Sequence, residues 1–576
     1  MARIRKIHIR HFRSVQDFSW LPSPGINCLI GPGDSGKSSI LDAIDYCVGA
    51  RRNVSFTDAD FFGLNVDEPV SISITLGELD DDLRNIDTYG LFVQSFNPAT
   101  GTVAEEPETG HETVLTVNLT IGSDLEPVWT LVSQRAVAQG AARNLNWKDR
   151  VRLAPTRVGA TADYHLGWSR GSVLNRVSEE RADASAALAK AARDARAAFG
   201  DQAEAQLQDT LAIVKTTAQE LGVPIGNSVK AMLDTHSVSF TGGTISLHNA
   251  DGIPLRSLGA GSSRLLVTGL QRKAAERASI ILIDELEHGL EPHRIIRLLG
   301  SLGAKETSPP LQVFMTTHSP VVLRELSGNQ LWVIRAGATS HTAMLVGTAN
   351  DIQSTIRLFP DAFLAPSVII NEGATEVGLI RGVDQFRTAN GNTPITACGV
   401  ALIDCGGGEP ERPFKRAAVF QRLGYRVCVV RDDDQQPDAA FEQAFVTSGG
   451  KVVTWRYGRA LEEELFLALT SDAGVKLLAR AVELHGEQLI DDHIKSASES
   501  AKNLQQIQTE SLMADLPAES RAILAKAAKA KRAGWFKSVS WMEDAARDIV
   551  GPELANGDPG FRTLVEEIFT WADNAG

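Results

Sequence analysis

The stretch Gly31-Pro32-Gly33-Asp34-Ser35-Gly36-Lys37-Ser38 decides the reading of this chain. It fits G-x-x-x-x-G-K-[ST]. In that pattern the glycines let backbone N–H groups close around phosphates, the lysine reaches the β- and γ-phosphates, and the hydroxyl ligates Mg²⁺. The flanks agree with it. Ile26-Asn27-Cys28-Leu29-Ile30 is an apolar run of strand length, and Ser39-Ile40-Leu41-Asp42-Ala43-Ile44 opens a helix whose N-terminus favours anions. Gly31, Gly33, Asp34, Ser35, Gly36, Lys37, Ser38 and Ser39 are therefore expected to face ATP and its Mg²⁺.

Outward from this loop, 576 residues are too many for one core. A hydrophobic content of 43% with 22% charged residues is that of a soluble globular protein. The strongest apolar runs, Ile280 to Ile283 and Val368 to Ile370, have strand length and argue against a membrane span. The start, Met-Ala-Arg-Ile-Arg-Lys, continues into alternating residues rather than a signal-peptide core, so a cytoplasmic protein is expected. Cys28, Cys47, Cys398, Cys405 and Cys428 show no paired metal spacing and read as buried thiols. A net charge of −14, from 57 basic and 71 acidic residues, speaks against binding DNA by bulk charge. Local basic patches and bound metal ions still provide a route to nucleic acid.

Further motifs follow in order. Ile4, Ile7, Ile9 and Phe12 alternate with Arg5, Lys6, Arg10 and Arg13 in a strand before the loop. Val70 to Leu76, Val114 to Ile121 and Val128 to Val132 alternate as half-buried strands of an antiparallel annex. From about Val177 to Leu221 the spacing predicts two amphipathic helices broken near Gly200, either a helical lobe or a dimerisation hairpin. Ser237 to Leu247 reads as strand and Asn249 to Gly252 as a turn. Ser279-Ile280-Ile281-Leu282-Ile283-Asp284-Glu285 is a buried strand ending in two carboxylates. Asp284 is suited to hold Mg²⁺ through water and Glu285 to polarise the attacking water. Leu311 to Met315 is another strand, with His318 just beyond its end.

Taken together, His11-Phe12-Arg13-Ser14, the segment Leu255 to Arg264, the Asp284-Glu285 strand and His318 resemble the recombination-repair and structural-maintenance type of ABC ATPase. That resemblance implies that Ser257, Gly259 and Gly261 form the signature that caps a γ-phosphate, and that His318 is the switch histidine. It also implies that Leu286 to His293 crosses to a partner subunit, and that Gln94 or Gln134 senses Mg²⁺. In such ATPases each site is closed by a second unit. One set of motifs therefore implies a homodimer or a higher even oligomer.

A second unit begins at Pro366. Ser367-Val368-Ile369-Ile370-Asn371-Glu372-Gly373-Ala374-Thr375-Glu376 is a buried strand, a carboxylate, a turn and a helix start with a second carboxylate. Tyr425 to Val430 is another buried strand, leading into Arg431-Asp432-Asp433-Asp434. Strand-end carboxylates on neighbouring parallel strands converge on one crevice, and the pair of motifs resembles a Toprim domain. An ABC ATPase followed by Toprim resembles the overcoming-lysogenisation-defect (OLD) family of ATP-dependent endonucleases, which includes the nuclease subunit of the Gabija antiphage system. The resemblance spans nearly the whole chain. It implies that Glu462 joins the metal ligands and that Lys537, in Trp-Phe-Lys, supports developing phosphate charge. Glu463, Lys529 and Lys531 stand close enough in sequence to be confused with these two.

Glu372, Glu376, Asp432, Asp434 and Glu462 are hard oxygen ligands suited to Mg²⁺ or Mn²⁺, and five carboxylates accommodate two ions. The sequence thus predicts an α/β protein. It comprises an ABC-type ATPase domain (1–155 and 231–350) with an inserted helical dimerisation region (156–230), then a Toprim domain with a helical extension (365–576). The leading reading is an ATP-regulated, metal-dependent DNA endonuclease acting in antiphage defence or DNA processing, with Glu372 and Asp432 in the cleavage chemistry. A helicase-like partner from the same operon enters by resemblance alone. Two readings compete: a non-cleaving ATPase clamp for DNA repair, and a Toprim topoisomerase or primase. The five tyrosines place none as a strand-transfer nucleophile.

Overall fold

The computed structural model describes residues 2–50, 54–158, 165–168, 172–177, 206–226, 228–233, 245–274, 279–530 and 533–574. The first expected amphipathic helix, most of the expected strand at Ser237 to Leu247, and Lys531 lie outside these residues. The chain divides into two units, Met1–Ala349 and Asn350–Gly576.

In the first unit the strands are β1 (Arg3–Phe12), β2 (Val15–Trp20), β3 (Ile26–Ile30), β4 (Val70–Gly77), β5 (Val93–Asn97), β6 (Thr102–Ala104), β7 (Glu112–Ile121), β8 (Pro127–Val132), β9 (Thr156–Val158), β10 (Val229–Leu233), β11 (Ile245–Asn249), β12 (Ile280–Ile283), β13 (Gln312–Thr316), β14 (Leu331–Ala336) and β15 (His341–Leu345). Among the described residues β10 and β11 form a separate hairpin. The other thirteen make one mixed sheet in the order β6-β5-β7-β4-β1-β2-β15-β14-β3-β13-β12-β9, with β8 on β7. The parallel part holds β14, β3, β13, β12 and β9 side by side. Strands β3, β12 and β13 are buried at every residue: β12 is an unbroken apolar run, and the polar Asn27, Gln312 and Thr316 of the other two are hydrogen-bonded inside. The antiparallel part shows period-two burial instead: Ile7 and Ile9 of β1 pair with Ile74 and Ile72 of β4, facing the core. Against that face lies the helix Lys37–Val48, with Ile40, Leu41 and Ile44 buried. Truncating one of these to Ala costs about 2–5 kcal/mol, so the helix that carries Lys37 is firmly seated.

The helix Gln208–Leu221 is the described remainder of the helical region. Its buried face is spent within the chain. A Cβ on Gly269, in the helix Ala260–Lys273, would lie 2.6 Å from Thr217 Cγ2 and 2.5 Å from Leu221 Cδ1, so the two helices pack at glycine distance.

The second unit is built on four parallel strands, β16 (Ser367–Asn371), β17 (Val400–Asp404), β18 (Arg426–Arg431) and β19 (Lys451–Thr454), in the order β17-β16-β18-β19. This unit begins ahead of Pro366, because the segment before it packs on its own sheet. Phe363 sits 4.8 Å from Phe420, ring centre to ring centre, and Tyr425 Oη donates to Phe363 O at 2.6 Å. The helical C-terminal region shares one core with the sheet, with Trp455, Phe466, Trp535, Phe536 and Phe561 buried.

Candidate functional site

Two clusters of chemistry-bearing side chains stand out, one in each unit. In the first unit, β3 runs straight into the Gly31–Gly36 loop and the helix Lys37–Val48. Gly31 has φ +137°, and a Cβ there would meet Ile334 O at 2.6 Å, so no other residue fits. Lys37 Nζ donates to Gly31 O (3.1 Å), Pro32 O (2.6 Å) and Ser35 Oγ (3.1 Å). Burial lowers its pKa, against the pull of Asp34 and Asp284. Ser38 Oγ donates to Asp284 Oδ1 at 3.1 Å, which brings the loop to the end of β12. Thr316 Oγ1, ending β13, donates to the same oxygen at 2.6 Å and accepts Glu285 N–H at 2.8 Å. Glu285 is held at φ +46°, a strained conformation for a residue with a side chain, and its carboxylate is exposed. His318 is exposed; its N–H donates to Glu287 Oε1 (2.7 Å), while the Thr317 hydroxyl donates to Glu287 Oε2 (2.6 Å).

The remaining residues singled out in the sequence are placed as follows. Ser257 and Gly259 are exposed at the start of the helix Ala260–Lys273. Gly261 is buried, and a Cβ on it would lie 2.3 Å from Gly289 O, so in this chain its small size serves packing. Arg13 is bound to Asp42 and, at 2.9 Å, to Asp60. Gln94 Nε2 donates to Glu105 (2.9 Å) and its Oε1 accepts from Thr116 (2.8 Å) in the antiparallel annex, while Gln134 is exposed on a short helix. Sequence reasoning passed over Glu287, Arg264 and Arg157. Arg264 is buried and donates to Glu285 O at 2.8 Å. Arg157, on β9 beside β12, pairs with Asp42 and Asp45 and comes 4.0 Å from Asp284.

In the second unit, β16 and β18 lie side by side with Asn371 opposite Val430. Glu372 and Asp432 therefore leave the sheet together at its carboxyl edge. Asp432 N–H donates to Glu372 Oε2 at 3.0 Å. Glu376, in the first turn of the helix Ala374–Ala389, accepts from Gly373 N–H at 2.9 Å. Glu462, in the first turn of the helix Leu461–Ala468, accepts from Thr375 Oγ1 at 3.3 Å, and Leu461 N–H donates to Asp432 Oδ1 at 2.9 Å. The start of that helix is fixed by Glu464, fully buried between Arg456 and Arg459. Glu372, Glu376, Asp432, Asp434 and Glu462 line one cavity of about 430 Å³ with Gly406 to Gly408, Lys529 and Lys537. A larger cavity of about 720 Å³ in this unit, walled by Leu358, Ile395 and Leu402 among others, holds none of these carboxylates.

The electrostatics of this cavity are one-sided. Glu376 and Glu462 are only 2% and 4% exposed. Burial, and then the charge of its neighbours Asp432 and Glu462, pushes Glu376 well above the usual carboxylate range. Asp432 is pushed up to about 8 by burial, Glu462 and Glu372. Glu372 is raised by burial and so is Glu462, the latter opposed by Lys537 and Lys529. Among the described residues no three His, Cys, Asp or Glu side chains stand in an arrangement that by itself holds a metal ion. Each carboxylate is turned toward a backbone or side-chain donor. Lys537 is exposed beside the buried Trp535 and Phe536, which anchor it.

The first unit has the topology and loop of a nucleotide-binding ATPase domain, and the family comparison agrees. The chain belongs to the family described as AAA domain, putative AbiEii toxin, Type IV TA system, whose profile matches residues 26–324, just over half of the chain. Curated relatives match short stretches. The DNA replication and repair protein RecF of Chlorobium phaeovibrioides is 41% identical over 58 residues, 10% of this chain and 16% of that protein. RecF of Prosthecochloris aestuarii is 47% identical over 45 residues, 8% and 12% of the two chains. The chromosome partition protein Smc of a Synechocystis species is 33% identical over 90 residues, 14% and 7%. The chain thus spans about a sixth or less of the curated relatives it matches. Among solved structures it is similar to the Smc head domain of Pyrococcus furiosus bound to the C-terminal domain of ScpA, with a TM-score of 0.38 and 14% identity over 60% of this chain and 96% of that one. It is also similar to the SMC head domain of Thermotoga maritima, with a TM-score of 0.30 and 15% identity over 60% and 100%. Among the described residues no helix is long and apolar enough to cross a membrane.

Proposed function

We propose that this chain is an ATP-regulated, divalent-metal-dependent DNA endonuclease of the OLD type, with an ABC-type ATPase unit followed by a Toprim nuclease unit. The observation that carries the nuclease reading is the convergence of five carboxylates and two lysines on one cavity at the carboxyl edge of four parallel strands. The donor set fits Mg²⁺ or Mn²⁺: all oxygen, buried or half-buried, and costly to ionise together without a counter-cation. Glu372, Glu376, Asp432, Asp434 and Glu462 would hold the ions. Bound there, such ions supply Lewis acidity and water deprotonated near neutral pH for attack on a phosphodiester. The protein's own contribution is to fix the carboxylates on rigid strand and helix ends and to present Lys537 to the phosphate. The glycines Gly406 to Gly408 leave room for a backbone to approach.

In the first unit, Lys37 and the loop N–H groups bind the nucleotide phosphates. Ser38 and Asp284 would hold Mg²⁺, Glu285 would orient water, and His318 would contact the γ-phosphate. The exposed Ser257 and Gly259 suit a signature that completes the site of a second copy, so the active form is a homodimer or higher even oligomer. The test is plasmid cleavage: incubation with Mg²⁺ or Mn²⁺ yields nicked or linear DNA, lost in Asp432→Asn. Intact supercoiled plasmid under every metal and nucleotide condition would sink the reading. In that case the second reading, a non-cleaving ATPase that holds DNA for repair, takes its place. It draws on the short matches to RecF, all confined to at most a tenth of the chain.

A further inference from the structure

The helix Ala518–Ala528 ends against the carboxylate cavity, and Lys529 is its C-terminal cap. The root of this lysine is fixed. Ala527 and Ala528 are buried, and Trp535 N–H donates to Ala528 O at 3.2 Å. A cation also suits the end of a helix, where free carbonyls carry partial negative charge. From there the ammonium reaches Asp434 Oδ2 at 2.8 Å and Glu463 Oε2 at 3.0 Å. Asp434 belongs to the ligand set; Glu463 does not. The second anchor is itself tied down, since Glu463 Oε2 also accepts Ala460 N–H at 3.0 Å. Lys537 lines the same cavity from an exposed position beyond the Trp535-Phe536 anchor.

We propose that Lys529 is a latch on the metal site: an internal cation that holds Asp434 and has to be displaced for that carboxylate to serve a divalent ion. The inference rests on the reading of the cavity as a metal site. The ion pair occupies the oxygen that faces Lys529, and the ammonium supplies charge compensation that the ion would otherwise provide. Lys529 therefore weakens metal binding. Glu463 gives the released ammonium a place to stay beside the cavity. Lys529 is a positioning residue in this account, acting on metal affinity through Asp434.

The test is calorimetric titration of Mn²⁺ into the full-length protein, without nucleotide and at one pH. Asp432→Asn serves as the blank for binding elsewhere. A charge-assisted pair partly open to water is worth a factor of about ten. Lys529→Met is expected to bind Mn²⁺ about tenfold more tightly than wild type, and Lys529→Gln likewise should Lys529→Met fold poorly. Lys529→Arg, which keeps the charge, should stay near wild type. Unchanged or weaker Mn²⁺ binding in Lys529→Met overturns the latch. So does an equal gain in Lys537→Met, which would make Lys529 one contributor to a general field. If Asp432→Asn binds Mn²⁺ as wild type does, the metal-site reading fails first and takes the latch with it.

Discussion

The phosphate loop of the first unit and the carboxylate cavity of the second handle charge in opposite ways. Around the loop nearly every charge has an opposite or a dipole within reach: Lys37 with its own loop carbonyls, Asp284 with two hydroxyls, Asp42 with Arg13 and Arg157. In the cavity five carboxylates face two lysines; burial raises the pKa values of four of them, and repulsion from neighbouring carboxylates adds to the rise of Glu372, Glu376 and Asp432. A site whose charges are already compensated keeps its shape with or without ligand. One with surplus negative charge is completed by cations. The contrast predicts that the two sites fail separately and respond to different ligands.

The sharpest way to break that separation is a substitution with an effect on only one activity. Asp432→Asn should lower DNA cleavage by about three orders of magnitude or more, the scale of losing metal-assisted activation of water. ATP hydrolysis should stay within about twofold. Equal loss of both in a folded variant would show that the two sites are one machine. The reciprocal substitution, Glu285→Gln, keeps Asp284 and the Lys37 contacts but removes the base. Turnover of ATP should fall by roughly two to four orders of magnitude while nucleotide still binds. Cleavage rates of this variant with and without ATP then measure the coupling free energy between the units, and identical rates would remove ATP regulation from the proposed function.

Much of both sites could be read in the sequence because their elements are local. An apolar run, a glycine turn and a helix start within a dozen residues specify the phosphate loop, and strand-end carboxylates announce themselves by position. What escaped has long-range causes. Lys529 meets Asp434 across 95 residues of chain and Thr317 meets Glu287 across 30, and nothing local to either partner marks the pair. Gly261 matched a phosphate-capping pattern, yet its size is demanded by Gly289 passing at 2.3 Å from its would-be Cβ, a contact between segments 28 residues apart. Neither Gln94 nor Gln134 was distinguishable by sequence. The structure gives Gln94 partners within its own antiparallel strands and leaves Gln134 exposed.

A smaller effect sharpens the comparison through ligand binding. If surplus charge defines the cavity, Mn²⁺ at a hundredfold excess over its dissociation constant should stabilise the second unit by about 2.7 kcal/mol. ATP with Mg²⁺ should stabilise the first unit instead. Thermal unfolding followed with each ligand resolves which transition moves. Asp432→Asn should lose the response to Mn²⁺ and keep the response to nucleotide. A single transition that shifts equally with either ligand would contradict separate sites.

The least effect concerns His341, an unpaired side chain at the phosphate loop. It is 7% exposed at the start of β15, and neither ring nitrogen has a hydrogen-bond partner. A Cβ on Gly36 would lie 3.3 Å from its Nε2, so the imidazole sits directly against the phosphate loop. Burial favours the neutral ring and lowers its pKa below the ordinary histidine value. The unfolded chain takes up its proton near pH 6.5, while the folded chain does so only at lower pH. The unfolded state therefore binds more protons in that window. Stability present above about pH 6.5 is lost as the pH falls toward the folded value. His341→Leu removes both the titration and two unpaired polar atoms. It should raise the stability of the nucleotide-responsive transition by about 1 kcal/mol at pH 7.5. It should also flatten the decline in melting temperature between pH 6.5 and 5.5. A decline as steep in His341→Leu as in wild type would assign the acid sensitivity to other groups, and the buried imidazole would then have no part in it.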